Sequence, residues 1–469
     1  MMLSKPLWTT LGALLALAGA TAPAVSFDNK DYAATHIIVR DVVIVGGGSS
    51  GTYTAVRLRD SGKSVVVVEK KGNLGGHAQT FTAPNGYAID YGVRVFNQVK
   101  VVKDYFARLN LSWAVGGVAG DLEFIDYSTG EAVAYRLPDA PVLDAAFQAY
   151  VAQLSKYPEL KIGFNLTYPV AEDLLLSYRE FAHKYDIDPM VYTSFMHQGL
   201  VPLLDTPMLY VFKYINSYLI EAKRIGYLVL RNHNVQSIYR AAHQVLRDDN
   251  VLLNSFPLGM DRSSPEAARV VVQTPEGPKL IIAKKLVSAI PPTVGSLGAY
   301  DLTTTEKELF SKWTKTGYYA GILRNTGLNG SVNYFFAQPQ REFAVPELPG
   351  PYLFGATGAP GHTNVLFGSP TVEGDEHIKG LAEEALARLQ ADRGLAQTSP
   401  DWAVFQSHSP FNIQVSRDEI KAGFYKKLFE LNGQNHTFYN SATFQGWSST
   451  GLWEFTEEYL LPLILSALG

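Results

Sequence analysis

The chain contains no cysteine in 469 residues. That excludes disulfide staples, thiolate metal sites and thiol nucleophiles, and leaves stability to the large core a chain of this length can bury. Charge is sparse too. Charged residues make up 18%, the formal net charge is -4, and no basic tract occurs, so nucleic acid is not an expected partner. No apolar stretch reaches the roughly 20 residues that span a bilayer. The histidines His197, His233, His243, His362, His377, His408 and His436 show no compact ligand spacing, and no metal site or Ser–His–Asp set is expected.

What is present begins with Lys5, the apolar small-residue stretch Leu7–Ala20, and Ala22-Pro23-Ala24. This order reads as a secretory signal peptide over residues 1–24, and predicts a secreted protein. Asn110, Asn165, Asn329 and Asn435 each open an Asn-x-Ser/Thr triplet, a plausible glycan position on that route. Hydrophobic residues at 46% indicate a globular chain, here with two or three lobes.

The sharpest local signal lies in residues 41–70. The apolar run Val42–Val45 suits a central parallel strand, and Gly46, Gly48 and Gly51 then fit G-x-G-x-x-G. The first glycine permits a tight turn, the second lets backbone approach a pyrophosphate, and the third lets helix and strand pack closely. From about Ser50 a helix is expected, its free N–H groups aimed at phosphates. Gly62 ends it, and a second strand over Ser64–Val68 delivers Glu69, with Lys70 beside it, to the position where an acid accepts ribose hydroxyls. A carboxylate there repels a 2′-phosphate, which favours FAD or NAD over NADP. Downstream, Gly75-Gly76-His77 offers more backbone to a diphosphate, and Gly86–Val93, ending in Gly92-Val93, reads as a short strand and turn returning toward the ring end of the ligand.

These stretches resemble the flavin-containing amine oxidoreductase superfamily, whose members follow the acid with G-G-R. His77 stands in place of that arginine, so local charge compensation at the diphosphate is weaker, with another residue as a possible source. His77 itself is open to two readings, a hydrogen bond to the diphosphate or isoalloxazine side or a purely structural part. The resemblance extends to the apolar-faced helix within Asn232–Asn254, the strand Val251–Leu253, Leu258 as the adenine-side residue, and the strand in Lys284–Pro292. It also covers Tyr439-Asn440-Ser441, which takes the place of Y-A-G, and Gly451-Leu452 at the start of a final helix under the flavin. Lys421-Ala-Gly-Phe-Tyr425, Asn435–Tyr439 and Tyr210-Val-Phe-Lys-Tyr214 are similar to bacterial polyunsaturated fatty acid isomerase, and the whole sequence resembles fungal β-cyclopiazonate-dehydrogenase-like proteins.

The resemblance implies an α/β fold: a Rossmann-like FAD-binding domain of the two-dinucleotide-binding-domain type, an antiparallel substrate sheet and a helical insertion. The FAD-binding domain is expected from residues 40–99, 231–300 and 435–469, the mainly helical insertion from 100–230, and the substrate domain from 301–434. Helices are expected over Val101–Leu109, Leu143–Leu154, Ala171–Tyr185 and Pro207–Ala222, with β-prone runs at Gly317–Leu323, Ser331–Ala337 and Tyr352–Phe354. FAD held non-covalently is the expected cofactor, because no cysteine can tether it. The substrate is expected to be a small apolar, aromatic or amine-bearing molecule giving up hydride, with dioxygen as a natural acceptor. The alternatives are double-bond isomerisation of an unsaturated fatty acid and a silent flavin-binding protein. No catalytic side chain is identifiable.

Overall fold

In the computed structural model, residues 25–117, 120–199 and 202–469 are described. The signal-peptide reading falls on residues 1–24, outside them.

One seven-stranded sheet carries the nucleotide-binding lobe. Its first strand, β1 (Ile37–Val45), runs into helix α1 (Ser49–Asp60) and strand β2 (Val65–Val68). β1 and β2 are parallel, with Val42 opposite Val65 and Val45 opposite Val68. All four residues of β2 are buried, as are Val42–Val45, which is why these runs are continuously apolar and not alternating. Val251–Leu252 adds to the far side of β2. On the other flank of β1 lies the long strand Gly277–Ser288, also parallel. Its last residues pair with Thr437–Tyr439, and its first half turns back antiparallel onto Ala268–Thr274 and then Phe256–Asp261. Segments far apart in sequence therefore assemble one sheet.

A second seven-stranded sheet forms the other lobe, ordered 401–407, 314–324, 362–369, 350–356, 332–337 and 121–126, with 411–414 beside 314–324. It is antiparallel except where Asp121–Asp126 lies parallel to Val332–Ala337. The long helix Asp375–Asp392 covers one face with Ile378, Ala382, Ala385, Leu386 and Leu389.

The region 100–230 is less purely helical than the sequence predicts. Asp121–Asp126 belongs to the second sheet, and Trp113–Gly116 pairs with Tyr227–Leu230. Two expected helices are each broken in two. Ala171–Tyr185 becomes Glu172–Leu175 and Tyr178–Lys184, because Ser177 caps the second helix reciprocally with Glu180. Pro207–Ala222 becomes Met208–Tyr214 and Ser217–Ile225, with the Asn216 side chain accepting from the Leu219 N–H. Among the described residues no helix is long and apolar enough to cross a membrane.

Candidate functional site

The turn after β1 is built as the glycine spacing requires. Gly46 has φ +101, a conformation that side chains rarely adopt. A Cβ on Gly51 would lie 1.9 Å from the Gly46 carbonyl oxygen, so the third glycine is needed for α1 to seat against the turn. Gly48 differs. A Cβ there meets only the Cα of Gly76, at 3.8 Å. The space beside Gly48 is thus left open by the protein, bordered by Gly76 opposite and by α1, whose first N–H groups have no partners within the helix. This gap fits a diphosphate in place and charge.

The second glycine pair is locked in register: the Gly75 N–H donates to the Gly47 carbonyl at 2.8 Å. Gly76, at φ +58, offers its carbonyl to Lys71 Nζ at 3.2 Å, Gln79 Nε2 at 3.1 Å and Gln406 Nε2 at 3.3 Å. Glu69 is buried at the end of β2, and its carboxylate is fixed by backbone: Oε2 accepts from the Gly47 N–H at 2.7 Å and Oε1 from the Lys71 N–H at 2.8 Å. Each oxygen keeps acceptor capacity for a ribose hydroxyl. Lys70 is exposed, whereas Lys71, which sequence reading passed over, reaches back to the cradle. Burial lowers the Lys71 pKa from its ordinary value, the mark of an ammonium drawn off bulk water.

His77 does not behave as a cation. Burial, helped by Lys71 and Lys70, pushes it down to about 4, and its ring stacks on His408 with centroids 4.4 Å apart and planes 11° from parallel. His408 is likewise pushed well below its ordinary value by burial, and its Nε2 has no partner. The His77 carbonyl accepts from the Val93 N–H at 3.4 Å, and a Cβ on Gly92 would come within 2.1 Å of that same oxygen. Gly92-Val93 is therefore pressed onto Gly76-His77, which brings the ring-end turn to the cradle.

The C-terminal segment closes the other side. The Ser50 hydroxyl donates to the Asn440 carbonyl at 2.7 Å, so this side chain braces the fold and only its main chain remains for a ligand. Asn440, where the family has alanine, extends its amide to Thr54 and Thr456, each at 2.8 Å, tying α1 to the last helical run. Ser441 has φ -137, extended backbone open to any residue, and its hydroxyl pairs with that of Thr443 at 2.7 Å; glycine is not required here. The hydroxyls of Ser49 and Ser449 meet at 2.9 Å, and Trp453 Nε1 donates to Ser49, so α1 and the helix Ser449–Phe455 begin side by side. Gly451 and Leu452 lie in the first turn of that second helix, both buried.

Leu258 stands apart. It sits in the outer strand Phe256–Asp261 and is 38% exposed, while the backbone beside Glu69 comes from Asn254 and Ser255, whose N–H groups donate to Lys71 and Glu69 carbonyls at 2.9 Å.

Above Gly92 and His408 lies an aromatic wall contributed by distant elements. Tyr318 stacks on Phe411 at 4.7 Å, Phe411 packs on Trp447 at 4.4 Å, and the hydroxyls of Tyr318 and Tyr352 meet at 2.8 Å. No group of metal-ligating side chains occurs among the described residues.

The comparisons with known proteins agree with this geometry. An NAD(P)-binding Rossmann-like domain family matches residues 44–109. The chain is 36% identical to FAD-dependent oxidoreductase oblC of Cochliobolus heterostrophus over 94% of both chains. It is 34% identical to β-cyclopiazonate dehydrogenase of Aspergillus oryzae over 90% of this chain and 92% of that one. In fold it is similar to the CLA-producing fatty acid isomerase from P. acnes, with TM-score 0.74, 17% identity and coverage of 94% and 99%. It is also similar to putrescine oxidase bound to putrescine, with TM-score 0.63, 16% identity and coverage of 92% and 100%. A cradle shaped for a dinucleotide, a backbone-held acid for its ribose and close kinship along nearly the whole length lead to one conclusion: the chain belongs to the family of FAD-dependent oxidoreductases that includes β-cyclopiazonate dehydrogenase.

Proposed function

We propose that the protein is a secreted enzyme that holds FAD without a covalent bond and takes hydride from a small apolar, aromatic or amine-bearing molecule. The observation that carries this reading is the open gap between Gly48 and Gly76, flanked by the N-terminus of α1 and by Glu69. FAD supplies the hydride acceptor. The chain's residues do the rest: Glu69 holds the ribose, Lys71 offsets diphosphate charge, and Phe411, Trp447 and Tyr318 exclude water and give a flat substrate a surface to lie against. With no cysteine in the chain, no thioether to the cofactor can form. The name of the A. oryzae relative, β-cyclopiazonate dehydrogenase, supports net oxidation as the reaction. Dioxygen is the proposed acceptor, reduced to hydrogen peroxide as the flavin is reoxidised. Export is supported by the sequence of residues 1–24 and by the exposure of Asn110, Asn165, Asn329 and Asn435.

The test is anaerobic mixing of the yellow holoprotein with candidate indoles, amines and polyunsaturated fatty acids, followed by admission of air. The expected result is lasting bleaching and then stoichiometric peroxide. A shifted double bond with no oxygen uptake would make the protein an isomerase instead, and absence of any response would leave it a flavin carrier. Denaturation is expected to release free FAD into the supernatant; flavin retained in the precipitate would refute the non-covalent assignment.

A further inference from the structure

A cleft of about 560 Å³ opens beside α1, and none of the cradle residues described above lines it. Its walls come from α1, from the helix Lys100–Arg108, and from the last helical run, where Ser449–Phe455 continues into Thr456–Leu460. Tyr53, Val101 and Tyr105 give it an apolar side. Tyr53 stacks on Trp453 with centroids 5.4 Å apart, and Tyr105 meets the same indole edge-on at 4.9 Å. Trp453 in turn donates to Ser49 Oγ at 3.1 Å, so one indole links the apolar side of the cleft to the start of α1.

The charges in this cleft pair off unevenly. Arg57 holds Glu457 through Nε at 2.6 Å and Nη2 at 3.3 Å, and Arg108 holds Asp60 at 2.8 Å. The Tyr53 hydroxyl adds a bond to Glu457 at 2.9 Å. Those two guanidiniums and two carboxylates balance, as do Lys100 and Asp104 with each other. Glu454 and Glu458 remain, four apart on one helical face, with a single cation between them. That cation, Lys161, lies 3.3 Å from Glu458 and 3.9 Å from Glu454. One negative charge is left over.

Glu454 carries the deficit. Its side chain is 10% exposed; Oε1 accepts from the Tyr218 hydroxyl at 3.0 Å, while Oε2 has no partner. Burial raises its pKa against the pull of Tyr218 and Lys161. Lys213, a further cation whose charge reaches it, is committed to the carbonyls of Leu160 and Gly163. A carboxylate so enclosed and left one donor short costs free energy, and such groups are rare in native proteins.

We propose that this cleft is a second binding site, for a small organic ammonium whose charged head pairs with Glu454 and Glu458 and whose carbon body lies against Tyr53, Val101 and Tyr105. An ammonium is a compact charge with three donors, which suits two neighbouring carboxylates. The apolar side favours a cation that carries carbon over a bare metal ion. The inference stands apart from the flavoenzyme reading and does not depend on it.

The test is calorimetric titration of the purified flavin-loaded protein with butylammonium and, as its neutral counterpart, butanol, at low ionic strength. One equivalent of butylammonium is expected to bind saturably without changing the flavin absorbance, and butanol is expected to give no such signal. Glu454→Gln should weaken binding by about 10-fold or more, the worth of a charge-assisted hydrogen bond, with flavin content retained. Lys161→Met removes the competing cation and should strengthen binding. No saturable binding at millimolar concentration, equal binding of the alcohol, or unchanged affinity in both variants would overturn the proposal. So would binding that shifts the flavin absorbance and persists in Glu454→Gln, which would place the amine at the substrate site. Protein that takes up no flavin refutes only the cofactor reading, and the same titration of that protein still decides the cleft.

Discussion

Replacing Gly48 and Gly51 by alanine separates a glycine kept for the ligand from one kept for the fold. At Gly51 the added methyl would stand 1.9 Å from the Gly46 carbonyl oxygen and 2.9 Å from the Ala289 Cβ, both parts of packed main structure. Helix and turn would have to separate, at a cost on the upper side of the about 1–3 kcal/mol typical of overpacking. At Gly48, φ is -73 and the nearest atom is Gly76 Cα at 3.8 Å, an ordinary contact. The apoprotein should tolerate that methyl within about 0.5 kcal/mol. The same methyl fills the gap assigned to the diphosphate, so the overpacking cost of about 1–3 kcal/mol falls on binding, a weakening of roughly 5- to 150-fold in Kd. The assay is the apoprotein melting temperature by circular dichroism together with FAD affinity from quenching of flavin fluorescence. Apoprotein is needed because bound FAD would itself raise the melting temperature. Gly51→Ala should lower the melting temperature, while Gly48→Ala should leave it in place and lose FAD. An unchanged Kd in Gly48→Ala, or a melting temperature depressed as far as in Gly51→Ala, refutes the assignment of the gap.

Two buried cations give further predictions. Arg262, with a side chain 1% exposed, donates to both oxygens of Glu306 at 2.8 and 2.9 Å, to Asp301 at 2.6 Å and to the Thr437 hydroxyl at 3.0 Å. Burial alone would raise Glu306, but Arg262 and Tyr439 hold it below the usual range. Arg262→Met should therefore cost about 3–5 kcal/mol in chemical denaturation at pH 7, with much of that recovered in the Arg262→Met/Glu306→Leu double variant; a loss under about 1 kcal/mol would show that the network contributes little. Lys213 Nζ donates to the carbonyls of Leu160 at 2.6 Å and Gly163 at 2.8 Å, and burial pushes its pKa down to about 7. The unfolded chain then binds more protons than the folded one between pH 7 and the ordinary lysine value, so stability must rise with pH across that window. Relative to Lys213→Met, wild-type stability should climb by about 2 kcal/mol from pH 7 to pH 9; parallel pH profiles would show that the ammonium is not desolvated.

The legible parts of the site were those in which cause and effect sit close together in the chain. β1, the glycine turn, α1, β2 and Glu69 are contiguous, and Gly51 answers to Gly46 within that unit. Helix breaks at Ser177 and Asn216 were legible in principle, since Ser177-x-x-Glu180 is a capping pattern and Asn216 a good cap, yet apolar periodicity running through both obscured them. Which residues after Val251–Leu252 lie beside Glu69 was not legible, because the hydrogen bond from the Ser255 N–H to the Glu69 carbonyl, made between segments far apart in the chain, decides it. The aromatic wall was beyond reach: Tyr214, Tyr318, Tyr352, His408 and Trp447 come from separate helices, strands and turns, and nothing local marks them as neighbours.

The exchange of the family's arginine for His77 shows how the site keeps its charge balance. An arginine after the glycine pair would bring a permanent cation to the diphosphate. His77 is neutral at physiological pH, because burial and the adjacent lysines disfavour its protonated form, and its flat ring is used in stacking on His408. In the function proposed above the cation is Lys71 instead, whose Nζ donates to the Gly76 carbonyl and whose backbone N–H is bonded to Glu69. Lys71 thus holds the Glu69 carboxylate through its main chain and reaches the Gly76 carbonyl through its side chain, as the proposed cofactor site requires. The space on the ring side of the glycine pair, freed of a guanidinium, is occupied by two stacked imidazoles.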